Sequence, residues 1–69
     1  MTRAEHLQWA KDRALEYLPG DPQNAMTSML SDLSKHDELR NHPGKMLAPM
    51  FYGAHNDSRE VRKWIEGFN

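Results

Sequence analysis

The stretch Pro19-Gly20-Asp21-Pro22 constrains this chain more than any other part of its sequence. Proline disfavours helical backbone at the residue before it, and glycine suits the end of a helix. Asp21 is a good N-cap, and Pro22 suits the first helical position because its missing N–H has no helical partner there. The motif predicts one helix before it and another after it, and so short a connection makes them antiparallel neighbours.

The first helix is predicted over residues 3–18, with Thr2 as N-cap and Glu5 completing a capping box. Its apolar residues recur at helical spacing on one broad face. They are Ala4, Leu7, Ala10, Ala14, Leu15, Tyr17 and Leu18. Trp9 lies on the opposite, charged side, between Glu5 and Arg13. It is therefore the residue that fits a buried face least well.

The second helix is predicted over residues 22–36, and a polar loop follows over residues 37–44. The apolar face of this helix consists of Ala25, Met26, Met29, Leu30 and Leu33. A third helix is predicted over residues 44–54 from the spacing of Met46, Leu47, Met50, Phe51 and Ala54. Pro49 costs about 3 kcal/mol inside a helix. The helix either is kinked there, which we favour, or starts near Ala48.

A fourth helix begins after an N-cap at Asp57 or Ser58 and carries a narrow apolar stripe. The stripe consists of Val61, Trp64, Ile65 and Phe68. No segment alternates with the period of a strand, so we predict an all-α fold. The expected architecture is one domain over residues 1–69, a compact bundle of three to four short helices built on the antiparallel helical hairpin.

Charge and composition exclude several classes of function. Nine Lys and Arg residues face ten Asp and Glu residues, which gives a net charge of −1 and makes nucleic acid an improbable partner. The chain has no cysteine, so neither a disulfide framework nor a thiolate metal site is available. No apolar run approaches the roughly 20 residues of a membrane span. The polar start of the chain, with no apolar leader, favours a cytoplasmic protein that does not contact membranes.

No pattern indicates a catalytic or cofactor site, and we predict that the chain is not an enzyme. None of the four histidines forms the pair, four residues apart, that places two metal ligands on one helical face. The serines lie in no nucleophile elbow, and the sequence has no glycine-rich phosphate loop. We expect no metal and no cofactor. The methionines Met26, Met29, Met46 and Met50 are predicted to be core residues, with an adaptable binding surface as the alternative.

Trp9, with Glu5 and Arg13 beside it, is the candidate partner-binding site. Tryptophan and arginine are enriched at protein interfaces. The alternative is that Trp9 packs within its own chain, under the 37–44 loop or the fourth helix. The two possibilities stay open at this point.

The hairpin from Trp9 to Asp37 resembles a single tetratricopeptide unit, a helix–turn–helix repeat with characteristic aromatic and small residues. The matching residues are Trp9, Tyr17, Gly20, Asp21, Ala25, Met29 and Leu33. Pro22 stands where that motif has an aromatic or aliphatic residue, and Asp37 stands where it has its final proline. The resemblance implies a helical hairpin.

The whole chain also resembles a group of small uncharacterised proteins of bacteriophages of actinobacteria. The resemblance lies in the opening Met-Thr-Arg-x-Glu-His-Leu-x-Trp, the middle Met-Leu-Ser-Asp-Leu-Ser-Lys-His and the ending Arg-Lys-Trp-Ile-Glu-Gly-Phe-Asn. It implies a phage protein made in the host cell cytoplasm. We therefore expect a non-catalytic interaction module that binds a host or phage protein.

Two other functions remain open. The short turn between the first two helices permits a DNA-binding regulator of the helix-turn-helix kind, although Lys35 is the one basic residue of the second predicted helix. A thin core also permits a self-associating homodimer, in which the stripe of the fourth helix is completed by a second copy.

Overall fold

A computed structural model describes all residues, 1–69, and shows an all-α fold. Helix α1 spans Arg3–Leu15, α2 spans Pro22–Leu33 and α3 spans Ser58–Glu66. Two short 3₁₀-helices, Pro43–Leu47 and Pro49–Tyr52, connect α2 to α3. The predicted compact bundle, built on the α1–α2 hairpin, is confirmed. None of these helices has the length and apolar character needed to cross a membrane.

The helix starts follow the predicted capping chemistry. The Thr2 hydroxyl accepts a hydrogen bond from the Glu5 amide at 3.1 Å, and the Glu5 carboxylate accepts one from the Thr2 amide at 2.9 Å. Asp21 accepts from the Asn24 amide at 3.2 Å. Asp57 accepts from the backbone amides of the first turn of α3. Each cap satisfies amides that have no partner inside their helix.

Both hairpin helices end earlier than predicted. After Leu15 the chain forms tight turns, in which the amides of Tyr17 and Leu18 bond to carbonyls three residues back. After Leu33 the amides of Lys35 and His36 do the same. A final turn of this kind satisfies the last carbonyls of a helix without extending it. Because α1 ends at Leu15, Tyr17 is exposed and is not part of the apolar face. Ala4, in the first turn of α1, is also exposed, although the sequence pattern predicts it on that face.

The core lies between the three α-helices. Its buried apolar residues are Leu7, Ala10, Ala14, Ala25, Met26, Met29, Leu33, Leu39, Ala48, Val61, Trp64, Ile65 and Phe68. Ala10 and Ala14 are completely buried, and their small side chains let α2 pack closely against α1. Val61 and Ile65 of the α3 stripe are completely buried, whereas Trp64 and Phe68 keep an exposed fraction of 9% and 4%.

The prediction of a kinked helix over residues 44–54 is wrong. Ala48 has extended backbone, with φ −56° and ψ 138°, and this residue separates the two 3₁₀-helices. The cause is local, because Pro49 disfavours helical backbone at the residue before it. Gly53 then ends the second 3₁₀-helix in a left-handed conformation, with φ +81°.

The break at Ala48 also changes which side chains are buried. Ala48 and Pro49 face the interior, whereas the larger apolar side chains around them lie at the surface. The prediction that Met46 and Met50 are core residues is therefore wrong, whereas Met26 and Met29 are buried as expected.

Candidate interaction surface

Trp9 is partly buried against the core and lies between cationic side chains. The guanidinium carbon of Arg13 is 4.9 Å from the centre of the Trp9 ring, and the Lys35 ammonium is 5.8 Å from it. The ring of His6 lies 5.1 Å away on the same helix. Cations over an indole face are attracted by its negative quadrupole. The three side chains at the ring, those of His6, Arg13 and Lys35, belong to α1 and to the turn after α2.

A buried carboxylate holds these cations in place. Asp32 on α2 is only 2% exposed, and it accepts from Arg13 Nε at 2.8 Å and from Lys35 Nζ at 3.2 Å. Its backbone carbonyl lies 2.6 Å from Nε2 of the buried His6. The arrangement joins α1 to α2 and fixes the surroundings of Trp9. Sequence reasoning missed Asp32, although its position three residues before Lys35 is a signal for an ion pair on one helical face.

Glu5, the third residue of the predicted site, serves the start of α1. Hydrogen bonds from the backbone and then the side chain of Thr2 lower the pKa of the Glu5 carboxyl below its ordinary value of 4.5. The structure therefore brings Arg13 to Trp9 but gives Glu5 a capping role. The charged groups of Arg13, Lys35 and Glu5 around Trp9 are therefore all paired or hydrogen-bonded within the chain itself.

A second surface exposes large apolar side chains. We call residues 46–52 the apolar segment. Its exposed members are Met46, Leu47, Met50, Phe51 and Tyr52, with exposed fractions between 43% and 73%. Counting about 200 Å² for a fully exposed large side chain, they present roughly 600 Å². The largest apolar patch on a typical monomer is about 300–600 Å² and is often functional.

The apolar segment borders a groove of about 320 Å³ on one side of α3. The groove is lined by His42, Gly44, Leu47, Tyr52, Glu60, Lys63, Trp64, Gly67 and Phe68. The rings of Trp64 and Phe68 meet edge to face with centres 5.2 Å apart, and Trp64 Nε1 donates to the Gly44 carbonyl at 2.9 Å. These contacts fix the aromatic wall of the groove.

One acidic and one basic residue line the groove. The Tyr52 hydroxyl donates to the Glu60 carboxylate at 3.5 Å. Partial desolvation and the charge of Glu60 raise the pKa of Tyr52 above its ordinary value of 10.0. Lys63 forms no ion pair, whereas Arg59 and Arg62 of the same helix pair with carboxylates. The groove thus combines an apolar wall with one free cation.

Three of the four histidines, His6, His36 and His42, have hydrogen bonds within the chain. His36 Nδ1 accepts from the Glu38 amide, and His42 Nδ1 accepts from the Gly44 amide. No group of three or more His, Cys, Asp or Glu side chains is placed to hold a metal ion.

No protein-family model, no curated protein and no solved structure matches this chain.

Proposed function

We propose that this chain is a non-catalytic protein-interaction module that binds another polypeptide through the apolar segment and the adjoining groove. The observation that supports this function is the exposure of five large apolar side chains within seven residues. Exposed apolar surface of this size is unfavourable in water unless a partner covers it.

The chemistry of the surface favours a protein over a nucleic acid. The apolar segment carries Lys45 at its edge, and the Lys45 ammonium donates to the Arg40 carbonyl at 2.8 Å. Helix α2, the candidate recognition helix of a DNA-binding hairpin, has no basic residue between Pro22 and Leu33. Phosphate neutralisation needs several free cations on one face. The resemblance to phage proteins then indicates a host or phage protein, met in the host cytoplasm, as the partner.

A pull-down from the lysate of an actinobacterial host tests the proposal. The baits are the wild type, Phe51→Asp in the apolar segment, Trp9→Ala in the sequence-predicted site, and Tyr17→Ser as a control. Tyr17 is an exposed aromatic residue outside the segment, so its loss removes apolar surface without touching the proposed site. Each bait is first shown to be helical by far-UV circular dichroism.

We expect one protein to be captured by the wild type and by Tyr17→Ser and to be lost with Phe51→Asp. Capture that is lost only with Trp9→Ala would assign the interface to Trp9 and Arg13 instead. A DNA fragment retained by the wild type in a salt-dependent manner would favour the regulator alternative.

A further inference from the structure

The two charged residues of the groove lie one turn apart on α3. Glu60 and Lys63 both line it, and neither forms an ion pair within its own chain. The Glu60 carboxylate accepts only the 3.5 Å hydrogen bond from Tyr52. The surface therefore has an apolar centre and an edge with one unpaired charge of each sign.

Such a surface is complementary to itself. In an interface with two-fold symmetry, residue i of one copy meets residue j of the other, and j meets i. A rotation that places Glu60 opposite Lys63 of a second copy creates the reciprocal pair as well. In such a dimer we expect each apolar segment to lie against the groove of the other copy.

We propose that the occupant of this surface in the purified protein is a second copy of the chain, in a symmetric dimer with reciprocal Glu60–Lys63 pairs. This inference rests on the proposed function, because it takes the apolar segment and groove as the binding surface. It differs from the homodimer considered from the sequence, because Val61 and Ile65 are completely buried and only Trp64 and Phe68 of that stripe line the groove.

The size of the surface fits a dimer. The apolar segment presents roughly 600 Å², and a standard interface buries about 800 Å² on each partner. The exposed side chains around the groove, Lys63 among them, would supply the remainder. This area is about one seventh of the 4308 Å² that the whole chain exposes.

The charge of the chain also permits self-association. At a net charge of −1, two copies repel each other only weakly. A strongly acidic or basic partner would gain little from an edge with one charge of each sign. A second copy satisfies both charges at once.

Sedimentation velocity on the purified chain provides the first test, over about 1 to 500 μM, a range suited to an interface of this size. We expect the wild type to shift from one to two monomer masses with concentration. Phe51→Asp should weaken the dimer by about 30-fold or more, because it places a charge in an apolar contact. Tyr17→Ser should leave dimerisation unchanged.

A charge exchange tests the geometry. Glu60→Lys and Lys63→Glu should each weaken the dimer by about tenfold, since each juxtaposes like charges across the two-fold axis. Mixing the two variants should restore a heterodimer, because all facing pairs are then opposite in sign. The double variant Glu60→Lys/Lys63→Glu should dimerise as well. Recovery on mixing cannot come from misfolded chains, so it separates a lost contact from a lost fold.

A wild type that stays monomeric over the whole range overturns the dimer. So does a dimer that ignores Phe51→Asp, or single charge variants that recover neither on mixing nor in the double variant. The proposed function fails separately, when capture from the lysate does not depend on Phe51. A monomer that captures a protein through Phe51 would thus overturn the dimer and leave the module intact.

Discussion

Arg13 on α1 donates from Nε to the buried carboxylate of Asp32 on α2 across 2.8 Å. The carboxylate is 2% exposed, whereas about half of the Arg13 side chain is in solvent. The same guanidinium lies 4.9 Å from the centre of the Trp9 ring. One arginine thus joins the two helices of the hairpin and covers the residue that the sequence singled out as a partner anchor.

Replacing Asp32 should destabilise the hairpin. For Asp32→Ala we expect a loss of about 2 kcal/mol in the free energy of unfolding, because several hydrogen bonds disappear, while the released cations remain hydrated. Arg13→Ala should cost about 1 kcal/mol, since Lys35 still pairs with Asp32. Urea denaturation at pH 7 measures both.

Asp37→Ala is the matched control for Asp32→Ala. The Asp37 side chain is 91% exposed, and it also pairs with an arginine, Arg40 at 3.1 Å. Exposed pairs of this kind contribute little, so the change should stay within about 0.5 kcal/mol. Equal losses from the two aspartates would contradict a structural role for the buried carboxylate.

Trp9 should contribute to stability as well as being accessible to a partner. The loss of its packing and of the cation contacts should make Trp9→Ala less stable by about 2 kcal/mol, and Trp9→Phe should retain most of the packing. Far-UV circular dichroism during urea denaturation is the suitable measurement, since it does not depend on indole fluorescence. Unchanged stability of Trp9→Ala would favour the pure anchor interpretation.

The sequence predicts best where a single local interaction decides the structure. Thr2 with Glu5, Asp21 with Pro22, and Asp57 mark helix starts through hydrogen bonds within three residues, and all three are confirmed. Helix ends are less determined, because a closing turn of 3₁₀ type competes with one more α-helical turn at little cost.

Prediction fails over residues 46–52, where the local break before Pro49 and tertiary packing together decide which side chains are buried. The apolar residues of 46–52 have helical spacing, but spacing shows which side chains would share a face and not whether anything covers that face. The proline after Ala48 favours extended backbone there, and the chain buries Ala48 and Pro49 instead. The burial of Asp32 also depends on tertiary packing, because its partner Arg13 lies on another helix. The sequence alone does not show that the two side chains meet.

The capping box at the start of α1 should give the chain part of its acid sensitivity. Because the pKa of Glu5 is lowered in the folded chain, its carboxylate stabilises the fold fully above the ordinary value of 4.5. This stabilisation is lost as the pH falls through the lowered pKa. Glu5→Gln keeps an acceptor for the Thr2 amide but does not titrate.

Between about pH 6 and about pH 3, the melting temperature of Glu5→Gln should therefore fall less than that of the wild type. Glu38→Gln, at an exposed position, should follow the wild type. Identical pH profiles for the wild type and Glu5→Gln would contradict the role assigned to the carboxylate.

Two leucines outside the α-helices should behave in opposite ways. Leu39 lies in the turn after α2 yet is completely buried, whereas Leu47 in the apolar segment is 68% exposed. Leu39→Ala leaves a cavity and should cost about 2–4 kcal/mol, much of the stability of so small a domain. Leu47→Ala should change the free energy of unfolding by about 0.5 kcal/mol or less.

Dimerisation should be weakened more by Leu47→Ala than by Leu39→Ala, because Leu47 lines the groove and Leu39 does not. Urea denaturation of dilute samples gives the stability of each variant, and sedimentation of concentrated samples gives its dimerisation. If Leu47→Ala destabilised the dilute chain as much as Leu39→Ala does, Leu47 would be a core residue. Its exposure could then no longer support a binding surface.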